Sequence, residues 1–270
     1  MNLDDDYANA PYIPNSENYL QHWEESAREY RETEHSLGRA QLNLPYGKHP
    51  EQVFDLFFPA GRPLGLVVFI HGGYWMRFGR SDFSHLASGP TANDWAVAVP
   101  SYPLAPEASI PKITQSIVSA INVAASRITG PIILTGHSAG GHLVARMGQP
   151  DVNLQKFVLS RIVRIMPISP VSDLRPLLQT TMNKTLNLTE ITAEVESPAL
   201  YPKPKNIDLH VWVGANERPV FIEQAKFLST NWQATLTVEP LRHHFDVIHG
   251  LEDPNSAMID ALIRPKIANL

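Results

Sequence analysis

An α/β fold built on a mostly parallel, twisted sheet of about eight strands flanked by helices is predicted by three features of the sequence. Short apolar runs recur along the chain, helix-period patterns separate the later ones, and two runs near the start lie close enough to form a hairpin. The hairpin is residues 39–46 (RAQLNLPY) and 52–58 (QVFDLFF), set across Gly47, Lys48 and Pro50. Buried strands follow at 66–70 (LVVFI), 95–99 (WAVAV), 132–135 (IILT), 162–168 (IVRIMPI), 209–213 (LHVWV) and 234–239 (ATLTVE). Helices are expected at 110–127, where Ile113, Ile117, Ile121 and Ala124 recur at helical spacing, and at 221–232, where Phe221, Ala225, Phe227, Leu228 and Trp232 fall mostly on one side. A third is expected at 257–267.

Two regions stand outside this alternation. Residues 16–31 (SENYLQHWEESAREYR) place Tyr19, Leu20, Trp23, Ala27 and Tyr30 along one face, an amphipathic helix expected to start from a Ser16 N-cap. Residues 173–206 join two strands through more chain than one helix needs, with weak helical patterns and several prolines, and read as a small cap over one end of the sheet. The expected organisation is one domain over 1–270, with a helical arm at 1–38 and the cap at 173–206.

Hydrophobic content of 43% with 18% charged residues fits a soluble protein with a core. A net charge of −5 implies no general attraction to nucleic acid or an anionic membrane surface. Cysteine is absent, which removes disulfides, iron–sulfur clusters and thiol nucleophiles and fits a cytoplasmic location. The opening MNLDDDYANA lacks the order of a signal peptide, and LGLVVFI is too short to span a bilayer.

Chemistry enters at 132–141, IILTGHSAGG. A strand runs into Gly136-His137-Ser138-Ala139-Gly140, and a helical pattern follows through Leu143, Val144, Ala145 and Met147. This strand–turn–helix setting of G-x-S-x-G lifts a serine hydroxyl clear of the sheet and leaves the Ala139 amide at a helix N-terminus, facing a developing oxyanion. No lysine follows the glycines, so a phosphate loop is a poor alternative. Upstream, the strand LVVFI ends in His71-Gly72-Gly73-Tyr74-Trp75, where two glycines let backbone amides approach a carbonyl. His71 precedes that loop and reads as structural. Downstream, Arg242-His243-His244-Phe245-Asp246 follows the last strand and supplies a histidine base. His244 is preferred, with His243 as its neighbour; adjacent histidines rarely face one ion, so no metal is expected. For the acid, Glu217 in VWVGANERP lies after the right strand, and Asp173, one strand earlier, is the competitor.

With these pieces the chain resembles the α/β-hydrolase superfamily. More narrowly it looks like the kynurenine formamidase (arylformamidase) group and the hormone-sensitive-lipase-like esterases, through HGGYW, SYPLAPE, GHSAGGHL, SDLRPL and HHFDVI. The resemblance implies Ser138 as nucleophile, His244 as base, and the amides of Gly73, Tyr74 and Ala139 as the oxyanion hole. It implies a metal-independent serine hydrolase without cofactor, acting on a small ester or aryl formamide of the N-formylkynurenine kind. A broad short-chain carboxylesterase is the alternative, and a non-catalytic binding protein on the same fold a further one. A homodimer would fit the family. The sequence departs from the formamidase pattern in placing Glu217 where Asp is usual. Trp75 and Phe245, with Tyr74, are expected to wall an aromatic pocket.

Overall fold

The computed structural model describes residues 3–264. Residues 1–2 of the expected arm and 265–267 of the expected last helix lie outside that range. In chain order the helices and strands are α1 (Leu3–Asp6), α2 (Ser16–Ser36), β1 (Ala40–Pro45), β2 (Val53–Phe57), β3 (Leu66–Ile70), α3 (Ser88–Ala92), β4 (Ala96–Pro100), α4 (Ile110–Arg127), β5 (Ile132–His137), α5 (Ala139–Arg146), α6 (Lys156–Leu159), β6 (Ile162–Ile168), α7 (Asn183–Leu186), α8 (Glu190–Val195), β7 (Asp208–Gly214), α9 (Pro219–Trp232), β8 (Thr235–Glu239) and α10 (Ala257–Ile263). They assemble into one eight-stranded sheet in the order β1-β2-β4-β3-β5-β6-β7-β8.

The hairpin forms as expected, with Ala40 opposite Phe57 and Pro45 opposite Val53. It joins the sheet antiparallel through β2 and β4, and every later pair is parallel. Strand alternation divides the core between the two faces. Leu66, Val68 and Ile70 of β3 pack with Ile113, Ile117 and Ile121 of α4 and Leu143 of α5. Val67 and Phe69 face the other way, toward Trp23 of α2, Phe83, and Met258 and Ile259 of α10. The three α4 isoleucines are fully buried, each contributing roughly 1.5–3 kcal/mol relative to exposure.

α2 differs from expectation at both ends. Ser16 is its first helical residue, and Asn15, in the left-handed conformation at φ 52°, precedes it with no side-chain cap. The helix also continues to Ser36, and just beyond it Arg39 pairs with Glu34 at 2.7 Å. On α9 the expected apolar side is complete except for Phe227, which stays 36% exposed. A second tie holds α2 to the sheet: fully buried Asp55 on β2 accepts from Arg31 at 2.8 Å and from the Asn43 amide at 2.8 Å, with Arg80 at 3.3 Å.

In an open parallel sheet the loops beyond the carboxyl ends of the strands form the natural binding crevice. Here those loops follow β3, β5, β6, β7 and β8, and the predicted site residues sit on them.

Candidate active site

The turn between β5 and α5 is set by sterics. Ser138 adopts φ 56° and ψ −115°, a conformation that side chains rarely enter, and its amide donates to the Ile168 carbonyl at 2.9 Å. The flanking glycines make this possible. A Cβ on Gly140 would lie 1.9 Å from the Ile70 carbonyl oxygen, and one on Gly136 would lie 2.6 Å from that of Gly140. The helix then begins at Ala139, whose amide has no intrahelical acceptor.

Beside this turn lies the loop after β3. A Cβ on Gly72 would meet Ser138 Cβ at 3.0 Å, so the loop touches the serine directly. Gly73, Tyr74 and Trp75 take φ values of 100°, 51° and 57° in succession. Among the described residues none of the amides of Gly73, Tyr74 and Ala139 donates to another group of the protein. His71 does not face the site: its Nδ1–H donates to the Gly72 carbonyl at 2.9 Å and its ring stacks on Tyr102 at 4.3 Å. Burial lowers its pKa to about 4, so it is neutral and structural.

Glu217 and His244 meet behind the serine. His244 Nδ1–H donates to Glu217 Oε2 at 2.6 Å, which leaves Nε2 of the neutral ring as the proton acceptor. The other carboxylate oxygen accepts from the Gly214 amide at 2.8 Å and from the Ser169 hydroxyl at 2.5 Å. Ser138 and His244 are each 3% exposed, and the Glu217 side chain is fully buried. His137 packs against His244 with ring centroids 4.6 Å apart; burial, then the neighbouring ring, holds its pKa well below the ordinary value.

Asp173 has no part in this arrangement. Its carboxylate is engaged by Arg175 at 2.7 Å on the way into the 173–206 segment. His243 turns the other way, toward the Tyr19 hydroxyl at 3.2 Å and Asp246 at 3.1 Å.

Ser138, His244, Gly72, Gly73 and Tyr74 line one cavity of about 510 Å³. Phe245 lines it as expected; Trp75 does not. The positive φ at Trp75 turns its indole into the core, where it is 0% exposed and meets His142 edge-on at 5.0 Å. The aromatic wall is instead Trp23, Phe78 and Phe83 with Phe245, in a chain of ring contacts between 5.1 and 6.2 Å. The 173–206 segment contributes Thr181 and Met182.

Sequence reasoning missed the segment just ahead of α2, which closes the cavity with Asp4, Tyr7, Ala8, Asn9, Ala10 and Pro11. Asp4 accepts from the Thr181 amide at 2.6 Å, and Arg218 donates to Asp5 at 3.0 Å while lying 3.7 Å over the Tyr12 ring. The Tyr7 hydroxyl accepts from Gln224 at 2.9 Å, and the Tyr7 carbonyl accepts from the Tyr74 hydroxyl at 2.6 Å. The signal was present as Asp4-Asp5-Asp6 and the Arg218 that follows Glu217, but no local pattern pairs residues so far apart.

Among the described residues no cluster of three or more His, Asp or Glu side chains is arranged to hold a metal ion, and no helix is long and apolar enough to cross a membrane.

Comparison with known proteins gives the family and the fold. Residues 67–217 match the family described as alpha/beta hydrolase fold. A kynurenine formamidase from Salmo salar is 32% identical over 251 residues, covering 86% of this chain and 84% of that protein. A crystal structure of a Silicibacter protein, provisionally described as a thioesterase, is 48% identical with a TM-score of 0.95, covering 98% of this chain and 100% of that one. Esterase B from Lactobacillus rhamnosis shares the fold at 19% identity and a TM-score of 0.66, over 92% of this chain and 93% of that one. The chain belongs to the alpha/beta hydrolase family.

Proposed function

We propose that this protein is a serine hydrolase that cleaves a small ester or aryl formamide through an acyl-enzyme on Ser138. The observation that carries the reading is the convergence of three loops on one cavity, with Ser138 and His244 on its wall and His244 bonded to Glu217 at 2.6 Å. His244 Nε2 takes the proton as Ser138 Oγ attacks the carbonyl carbon, and Glu217 stabilises the imidazolium that forms. The amides of Gly73, Tyr74 and Ala139 receive the oxyanion, each such donor lowering the barrier by roughly 3 kcal/mol. The intermediate collapses as His244 protonates the leaving oxygen or arylamine nitrogen. A water molecule, deprotonated by the same histidine, then releases the acid and restores Ser138. Every role falls to a group of the chain itself.

The formamide preference rests on the Salmo salar relative and on the aromatic wall, which suits an aryl leaving group. Hydrolysis of short acyl esters or thioesters is the second reading, favoured by the description of the 48% identical Silicibacter protein. Comparing kcat/KM for N-formylkynurenine, 4-nitrophenyl acetate and a short acyl thioester separates them. No advantage for the formamide moves the assignment to the esterase. Ser138→Ala is expected to abolish all three activities and labelling by a fluorophosphonate; wild-type turnover in that variant refutes the mechanism.

A further inference from the structure

The three-residue reading gives no task to Ser169, a buried group that touches the acid. Ser169 directly follows β6 and is 0% exposed, and its backbone sits at φ 48°, a left-handed conformation that glycine adopts with less strain than serine. Its amide donates to the Trp212 carbonyl at 2.7 Å, tying the end of β6 to β7. Glycine would make that backbone bond equally well. What serine adds is a hydroxyl, and the hydroxyl donates to Glu217 Oε1 at 2.5 Å.

The two oxygens of Glu217 therefore have separate tasks. Oε1 is held by two donors, Ser169 Oγ and the Gly214 amide, while Oε2 bonds His244. Glutamate carries one more rotatable bond than the aspartate usual in this position, so its carboxylate plane is less defined by the backbone. Two donors on Oε1 fix that plane and aim Oε2 at Nδ1 of the ring. Hydrogen bonds to a buried carboxylate are charge-assisted and strengthened by low local polarity, so losing one is felt.

We propose that Ser169 is a positioning residue for catalysis: its hydroxyl locks the Glu217 carboxylate in the orientation that keeps His244 aimed for proton transfer from Ser138. This rests on the serine hydrolase reading above. The test uses the full chain with Ser169→Gly and Ser169→Ala, each alone and combined with Glu217→Gln. Activity on 4-nitrophenyl acetate is referred to the Ser138 that a fluorophosphonate labels at exhaustion, so unfolded protein does not mimic a loss. Both single variants are expected to lose about 10- to 100-fold in kcat with KM within about twofold. Ser169→Gly is expected to melt within a few degrees of the wild type, since it relaxes the backbone while removing the hydroxyl. In the Glu217→Gln background the same changes are expected to cost no more than about twofold, because the residue acts only through that carboxylate. Wild-type kcat in the single variants overturns the proposal, and so does an undiminished loss in the Glu217→Gln background. If Ser138→Ala is inactive while the Ser169 variants are unimpaired, only this inference fails; an active Ser138→Ala removes the reading beneath it.

Discussion

Gly140→Ala is the sharpest probe of the elbow because its consequence follows from distances alone. The added Cβ would stand 1.9 Å from the Ile70 carbonyl oxygen, 2.5 Å from the carbon of that carbonyl and 2.6 Å from the His71 carbonyl oxygen. Separations under 3.0 Å are essentially never seen for real Cβ atoms, and all three contacts are backbone, so no rotamer change relieves them. The start of α5 and the end of β3 must separate by about 1 Å. Overpacking of this kind costs about 1–3 kcal/mol, or about 2–10 °C in Tm for a chain of this size. The larger effect falls on chemistry. The same movement carries Ser138 and the Ala139 amide away from Gly73 and Tyr74, and a misplacement of about 1 Å lowers turnover on the order of 100-fold. Thermal melting followed by circular dichroism and kcat on 4-nitrophenyl acetate measure the two effects. Gly61→Ala is the control, since a Cβ there has nothing within 4 Å. A Gly140→Ala protein with the Tm and kcat of the control would refute the steric account of the turn.

Three further outcomes are expected. Glu217→Gln should lower kcat by about 10³- to 10⁴-fold, while Asp173→Asn, whose carboxylate serves Arg175, should leave it within about threefold in the same assay. Asp55→Ala should destabilise the fold by about 3–5 kcal/mol in urea unfolding, because it strands Arg31 and Arg80 beside a buried void. Burial depresses the pKa of His71 to about 4, and of His85 and His142 to about 3, below the ordinary value of about 6.5. The unfolded chain therefore binds more protons than the folded one between about pH 6.5 and 4, and stability should fall as pH drops through that window. The slope is up to about 1.4 kcal/mol per pH unit for each histidine. A His85→Leu protein, read by Tm against pH, should show a shallower decline.

The features that were legible in the sequence are those that local sterics or periodicity control. β3 and β5 announce themselves as apolar runs ending at glycine-rich turns, and G-x-S-x-G names Ser138 because no other residues fit at 136 and 140. Chain order then pointed to Glu217 and His244, which the fold brings to 2.6 Å of one another. What escaped were contacts that depend on orientation or distant partners. Trp75 looked like a pocket wall because it adjoins the oxyanion loop, but a backbone with φ 57° sends its ring into the core. Ser169 is an unremarkable serine until β6 and β7 lie side by side and place it beside Glu217. The residues ahead of α2 carry no repeat and little hydrophobic signal, so nothing local marks them as part of a cavity.

That opening segment also bears on how the molecule comes to be. Its anchors, Asp4 to Thr181, Asp5 to Arg218 and Tyr7 to Gln224, join residues 177, 213 and 217 positions apart. Contacts of such separation carry the greatest loop-closure cost and form late in folding. On a ribosome the segment emerges well ahead of Thr181, Arg218 and Gln224, and its anchors wait for them. The walls of the cavity are thus finished late, and substrate selectivity becomes a marker of completed folding in a way that the elbow, whose partners Ile70 and Ile168 lie far nearer to it in sequence, is not.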